Sequence, residues 1–174
     1  MSSTLSKQKL HTSHGNITIV GVGNRLLGDE GVGLHIIDNL FQIPMPSYVN
    51  IIDCGCDLLS LMSYLNKPSK LVIIDAVRAG GKPGQIYRFD YRELPTTHAE
   101  MNSAHQVRAT DAIELLKQVY PALADVEIIV IGIEPKAMEL GTELSEEVRA
   151  SLADVTTLVL KEISLSAESK PSKN

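Results

Sequence analysis

Two acidic residues and a histidine occupy positions where a metal ion or a hydrolytic reaction would need them. Glu30 follows a glycine-rich segment, Asp75 follows a run of aliphatic residues, and His105 lies near the predicted start of a helix. Two carboxylates and an imidazole suit nickel, zinc or a related divalent ion. Three protein ligands would also leave coordination positions open, as reactive metal sites require. The sequence therefore predicts a metal site formed by Glu30, Asp75 and His105.

The elements that position these residues alternate along the chain. Apolar segments predict strands over residues 17–21, 48–53, 70–74, 85–90 and 126–131. Helical spacing of apolar residues predicts helices over about 30–41, 57–66, 103–120 and 145–163. This alternation predicts an α/β domain, a three-layer sandwich in which a twisted, mostly parallel sheet carries helices on both faces.

The carboxyl ends of the strands are the expected place for chemistry in such a sheet. Glu30 and Asp75 both follow predicted strands at that edge. An aspartate that ends a buried apolar run costs free energy unless it is paired, which favours a functional role for Asp75. Asp29 precedes Glu30 and is predicted to cap the first helix, because acids are favourable at helix starts.

The glycine-rich segment also invites a dinucleotide interpretation, which its details exclude. Gly21-Val22-Gly23 begins the fingerprint, but Leu26 stands where the third glycine belongs. Asp29 and Glu30 would also repel a pyrophosphate, by roughly 1–4 kcal/mol per charge pair.

Composition and charge narrow the other possibilities. The 174 residues carry a net charge of −5, which argues against a nucleic-acid partner. No apolar run approaches the roughly 20 residues that span a bilayer, so no membrane association is expected.

Cys54 and Cys56 are too close in sequence for an ordinary disulfide, and they are interpreted as small buried thiols in a reducing cytoplasm. One domain over 16–163 is predicted, with a disordered arm over 1–15 and a flexible tail over 164–174.

Four ordered motifs carry a resemblance to a known family. They are Gly21-x-Gly23-Asn24-x-Leu26-x-x-Asp29-Glu30-Gly31-x-Gly33, Ile73-Ile74-Asp75-Ala76, His105-Gln106 with Asp111, and Gly132-Ile133-Glu134-Pro135. Together they resemble the hydrogenase maturation endopeptidases, which process the large subunit of nickel–iron hydrogenases. The resemblance covers about residues 16–163.

The resemblance implies that this chain removes a C-terminal extension from the precursor large subunit once nickel has been inserted. Glu30, Asp75 and His105 match the metal-binding positions of the family and would engage nickel that the substrate supplies. The nucleophile is expected to be water, activated by the metal or by Asp75 or Glu30 as general base. The alternative is a non-catalytic nickel-binding chaperone that uses the same ligands to check metal occupancy.

Two segments beside the predicted site are expected to bind substrate. One is the turn that begins with Asp53, Cys54 and Gly55, and the other is the loop over 91–101. Relatives often have Asp-Gly-Gly-Thr where this chain has Asp-Cys-Gly-Cys. The difference bears on which precursor is recognised rather than on the activity.

Overall fold

The computed structural model describes residues 16–58, 61, 64–65, 68–91, 113–114, 117–118 and 120–168. Its strands and α-helices follow the order β1 Ile17–Gly21, α1 Val32–Phe41, β2 Val49–Asp53, β3 Lys70–Ala76, β4 Ile86–Asp90, β5 Glu127–Ile133 and α2 Glu146–Glu168. Short 3-10 helices occupy Gly28–Gly31 and Pro121–Leu123. Residues 113, 114, 117 and 118 are also helical.

The strands form one sheet in the order β2-β1-β3-β5-β4. Every neighbouring pair is parallel except β4 and β5, which are antiparallel. The uninterrupted aliphatic segment at Lys70–Ala76 is the central strand and is buried along its whole length, as expected for a parallel strand covered on both faces. The predicted α/β architecture is confirmed, and β4 lies at one edge of the sheet.

Alternate residues of the strands enter two separate cores. Ile19, Val72 and Ile131 lie on the face that α1 and α2 cover. Val20 and Ile73 lie on the opposite face, which is covered by Leu58, Leu61, Ile113 and Leu123. The apolar stripe predicted for the first helix is buried in full, at Val32, Ile36, Ile37 and Leu40.

Helix α2 differs from its prediction at its C-terminal end. It continues to Glu168, past the boundary that the sequence placed after Ile163. Residues 164–168 contain no proline or glycine, so no helix-breaking residue ends the helix at Ile163. Within this last part of the helix, the Ser164 hydroxyl donates to the Leu160 carbonyl at 3.1 Å. The predicted arm over 1–15, and most of the predicted helix over 103–120, lie outside the described residues.

A buried ion cluster joins α2 to the sheet at the start of β3. Lys70 Nζ lies 2.6 Å from Glu162 Oε2, and Arg88 Nε lies 2.6 Å from Glu162 Oε1. Burial raises the pKa of Glu162, but the hydrogen bonds from Arg88 and Lys70 outweigh it and leave that pKa lowered. Asp75 lies near the other end of β3, so this cluster anchors the helix away from the candidate site.

Candidate active site

Glycines bring the end of β1, the following 3-10 turn and the start of α1 into direct contact. Gly23 has a φ of +145°, and a Cβ there would lie 2.0 Å from the Glu30 carbonyl oxygen. A Cβ on Gly33 would lie 2.4 Å from the carbonyl oxygens of Val22 and Ile74. Larger residues would force the elements apart, so the glycines hold Glu30 close to the end of β3.

Asp29 does not cap a helix, and that prediction was wrong. Neither the 3-10 turn nor α1 receives a side-chain capping bond. The Asp29 carboxylate instead accepts hydrogen bonds from the loop after β5, namely the amides of Lys136 at 2.8 Å, Ala137 at 3.1 Å and Ser145 at 2.7 Å, and the Ser145 hydroxyl at 2.8 Å. Burial raises the pKa of Asp29, but these donors outweigh burial and leave the pKa lowered. Asp29 thus fastens two loops together.

Glu30 and Asp75 form the pair of carboxylates that the sequence predicted. Glu30 is 9% exposed and Asp75 is 5% exposed. Burial raises the pKa of Asp75 to about 8, the Ala76 amide that donates to Asp75 Oδ1 at 2.8 Å opposes the rise, and the charge of Glu30 adds to it. Two buried acids that repel each other provide a place for a proton or a cation.

The third predicted ligand, His105, lies outside the described residues. Within the described part of the chain, no group of three His, Cys, Asp or Glu side chains is arranged to hold a metal ion. The structure therefore brings together Glu30 and Asp75 and leaves the contribution of His105 a prediction.

The turn predicted to bind substrate lies directly against the glycine-rich loop. The Gly23 amide donates to the Gly55 carbonyl at 2.9 Å, and the Cys54 amide donates to the Gly21 carbonyl at 3.0 Å. Asp53 Oδ1 accepts the Gly55 amide at 3.1 Å, so Asp53 orders the turn. Neither Cys54 nor Cys56 is in a disulfide. The half-buried Cys54 thiol donates to the Asp57 carbonyl at 3.1 Å, whereas Cys56 is exposed, so the interpretation as a buried thiol was wrong for Cys56.

The whole domain is similar to proteins that mature hydrogenases. The family model described as hydrogenase maturation protease matches residues 34–162. The chain belongs to this family. The hydrogenase 2 maturation protease of Escherichia coli is 29% identical over 146 residues, which cover 83% of this chain and 88% of that protein.

Solved structures agree with the family assignment. The [NiFe] hydrogenase maturation protease HybD from Thermococcus kodakarensis is 32% identical with a TM-score of 0.72, covering 85% of this chain and 99% of that one. The hydrogenase maturating endopeptidase HybD from E. coli is 27% identical with a TM-score of 0.74, covering 87% and 93%. The predicted family and the predicted peptidase activity are confirmed, and this hydrogenase maturation protease is an endopeptidase. None of the described helices is long and apolar enough to cross a membrane.

Two residues of this maturation protease that shape the site were missed by sequence reasoning. Arg25 donates to Asp38 Oδ2 at 2.6 Å and to Asp53 Oδ2 at 2.9 Å, which ties the glycine-rich loop to α1 and to the end of β2. Glu134 accepts hydrogen bonds from the Ala79 amide at 2.8 Å and the Tyr87 hydroxyl at 2.9 Å. Of the two, only Arg25 had a signal in the sequence, because it is a basic residue within an acidic loop.

Proposed function

We propose that this endopeptidase removes the C-terminal extension of the precursor large subunit of a nickel–iron hydrogenase after nickel insertion. The observation that carries the proposal is the pair of buried carboxylates, Glu30 and Asp75, at the carboxyl end of the sheet in a member of this family. A cation offsets the repulsion between two such acids. Nickel already bound to the substrate would therefore favour docking of a loaded precursor over an empty one. His105 is proposed as a third ligand to that nickel.

The same carboxylates can move the protons that hydrolysis requires. One of them accepts a proton from the attacking water as its oxygen bonds to the scissile carbonyl carbon. That proton passes to the amine when the carbon–nitrogen bond breaks. Asp75 is suited to this role because a pKa of about 8 lies near neutral pH, where a general base is most effective. The substrate nickel would act as a Lewis acid on the same carbonyl.

The Asp53-Cys54-Gly55 turn is proposed to contact the substrate beside this site. Asp53 is exposed and is held by Arg25 at 2.9 Å, and the Cys54 thiol donates to the Asp57 carbonyl at 3.1 Å, so the turn has a fixed shape. Space is open at Gly55, where an added Cβ would meet nothing within 4 Å. The reaction is proposed to occur in the cytoplasm, where Cys54 and Cys56 would stay reduced.

The direct test follows the mass of the precursor. Nickel-loaded and nickel-free precursor are each incubated with the protease, and mass spectrometry measures shortening. We expect shortening of the loaded precursor alone. Glu30→Gln, Asp75→Asn and His105→Ala should each abolish it. The control is Asp125→Asn, an exposed acid just before β5, which should cleave normally.

Each negative result has a distinct meaning. If loaded precursor binds to the protein and is never shortened, the chaperone alternative is correct for this substrate. Equal shortening of loaded and empty precursor would refute nickel recognition while leaving the protease activity in place. Full activity of Asp75→Asn would refute the site assignment.

A further inference from the structure

Two exposed leucines stand on loops that are joined beside the candidate active site. Leu26 is 60% exposed and Leu140 is 88% exposed. The Gly141 amide donates to the Leu26 carbonyl at 2.9 Å, and the Gly28 amide donates to the Gly141 carbonyl at 2.7 Å. The loop after β1 and the loop after β5 are thus joined by a short parallel bridge. Leu26 belongs to the first loop and Leu140 to the second.

These leucines are held by rigid backbone. The Asp29 carboxylate binds the amides of Lys136, Ala137 and Ser145, so the loop that carries Leu140 is fixed at both of its ends. A single exposed leucine needs no explanation. Two leucines on loops held by hydrogen bonds are more significant. These loops are already ordered, so binding a partner there costs little conformational entropy.

A pocket adjoins the leucines. It has a volume of about 290 Å³, and it is lined by residues of the same two loops, among them Gly28, Leu140, Gly141, Thr142, Leu144 and Ser145. This volume is at the lower limit for small-molecule sites. It suits one or two side chains of a polypeptide better than a whole cofactor.

The charge around the pocket favours a basic partner. Glu139 and Glu143 line it. Arg149 lies 2.8 Å from Glu143 and offsets its charge, and Lys136 is paired with Glu147 at 2.6 Å. The negative charge at the pocket therefore comes from exposed Glu139, in a chain with a net charge of −5. A positive group next to an apolar residue complements this surface.

The leucines are also continuous with the reaction site. The Asn24 amide donates to the Glu30 carbonyl at 3.3 Å, so Leu26 lies within the same closed loop as Glu30. Leu26 precedes Glu30 by four residues in this loop, and Leu140 lies on the loop that is bridged to it.

We infer that Leu26, Leu140 and the adjoining pocket form a docking site, the leucine patch, for the C-terminal extension of the precursor. The patch binds an apolar residue that has a basic neighbour. This inference rests on the proposed function and adds to it the part of the substrate that is held and the surface that holds it.

Steady-state kinetics on nickel-loaded precursor test the patch. Leu140→Ser and the double variant with Leu26→Ser should raise KM by about tenfold or more, because each change removes an apolar side chain that the bound peptide would cover. The value of kcat should change much less, because the patch binds ground state and transition state alike. Leu165→Ser is the matched control, as Leu165 is exposed on α2, and its KM should stay at the wild-type value.

Binding of a fluorescein-labelled synthetic peptide with the extension sequence gives a readout that does not need cleavage. Leu140→Ser should weaken binding about tenfold, and Glu139→Lys should weaken it and reduce its salt dependence. If the wild-type protein shortens no precursor, the proposed function fails while peptide binding still decides the patch. Unchanged KM and unchanged peptide affinity in Leu140→Ser overturn the inference. A shift from dimer to monomer in that variant, with peptide affinity unchanged, identifies a second copy of this chain as the occupant and also overturns it.

Discussion

Asp29 and Glu30 are adjacent in sequence, but their side chains face different surroundings. Asp29 faces the loop after β5 and is surrounded by backbone amides and the Ser145 hydroxyl, which stabilise its negative charge. Glu30 faces Asp75, where burial and like charge disfavour ionisation of the aspartate. The first environment stabilises the fold. The second costs stability, and it is the environment that we propose for the chemistry.

Asp29 and Asp75 show what decides the pKa of a buried carboxylate in this fold. Burial raises the pKa of both groups, so burial alone does not distinguish them. At Asp29 the hydrogen-bond donors outweigh burial and leave the pKa lowered, whereas at Asp75 burial and the charge of Glu30 outweigh the Ala76 amide and leave the pKa raised. A carboxylate at the end of a strand whose pKa is raised by burial and a like charge is a candidate for a functional role.

The largest expected difference concerns activity. Glu30→Gln should reduce kcat for precursor cleavage by about 10²–10⁴-fold, the usual worth of a positioned acid or base. Circular dichroism should show an unchanged fold, because the change removes a charge and keeps the shape. A Glu30→Gln protein with wild-type kcat would make Glu30 a structural residue like its neighbour.

Asp29→Ala should have the opposite profile. The substitution leaves the partly buried amides of Lys136, Ala137 and Ser145 without their acceptor. We expect a loss of about 3–5 kcal/mol in the free energy of unfolding, measured by urea denaturation. Asp38→Asn, which alters an exposed acid on α1, is the control and should cost much less. Wild-type stability in Asp29→Ala would show that water replaces the carboxylate at no cost.

Asp75→Asn should stabilise the protein while it removes activity. The pKa of Asp75 is about 8 in the fold and 3.8 for an aspartate without these surroundings, so folding binds a proton between these pH values. The stability linked to this group is complete below pH 3.8 and is lost as pH rises toward 8. The Asn variant lacks that loss, and its unfolding free energy at pH 7 should exceed that of the wild type by about 2–4 kcal/mol. The gain should disappear near pH 4, and a constant gain would contradict the assigned pKa.

The smallest effect is expected at acid pH. The pKa of Asp29 is lowered in the fold, so its contribution to stability is present above pH 3.8 and is lost as pH falls through the folded value. The wild-type unfolding free energy should therefore decrease more steeply below pH 3.8 than that of Asp29→Ala. Parallel pH profiles for the two proteins would show that folding does not lower the pKa of Asp29.

Much of the fold could be predicted because its signals are local. The uninterrupted aliphatic segment at Lys70–Ala76 can be recognised without a partner, and so can the helical spacing of Val32, Ile36 and Leu40. The end of α2 was missed because polar residues at 164–168 predict exposure, and exposure does not by itself end a helix. The anchoring by Arg25 and Glu134 was missed because their partners are distant in sequence, up to 55 residues away for Glu134.

The order of residues alone places acids after the strands that become β1 and β3, and it places glycines where these strand ends approach α1. Which of the adjacent acids faces the loop after β5 and which faces Asp75 depends on the tertiary structure. Successive side chains on a 3-10 turn point about 120° apart, so one step along Gly28–Gly31 turns a carboxylate from the loop after β5 toward Asp75. That loop begins more than 100 residues later in the chain, so no pattern around Asp29 could predict the contact.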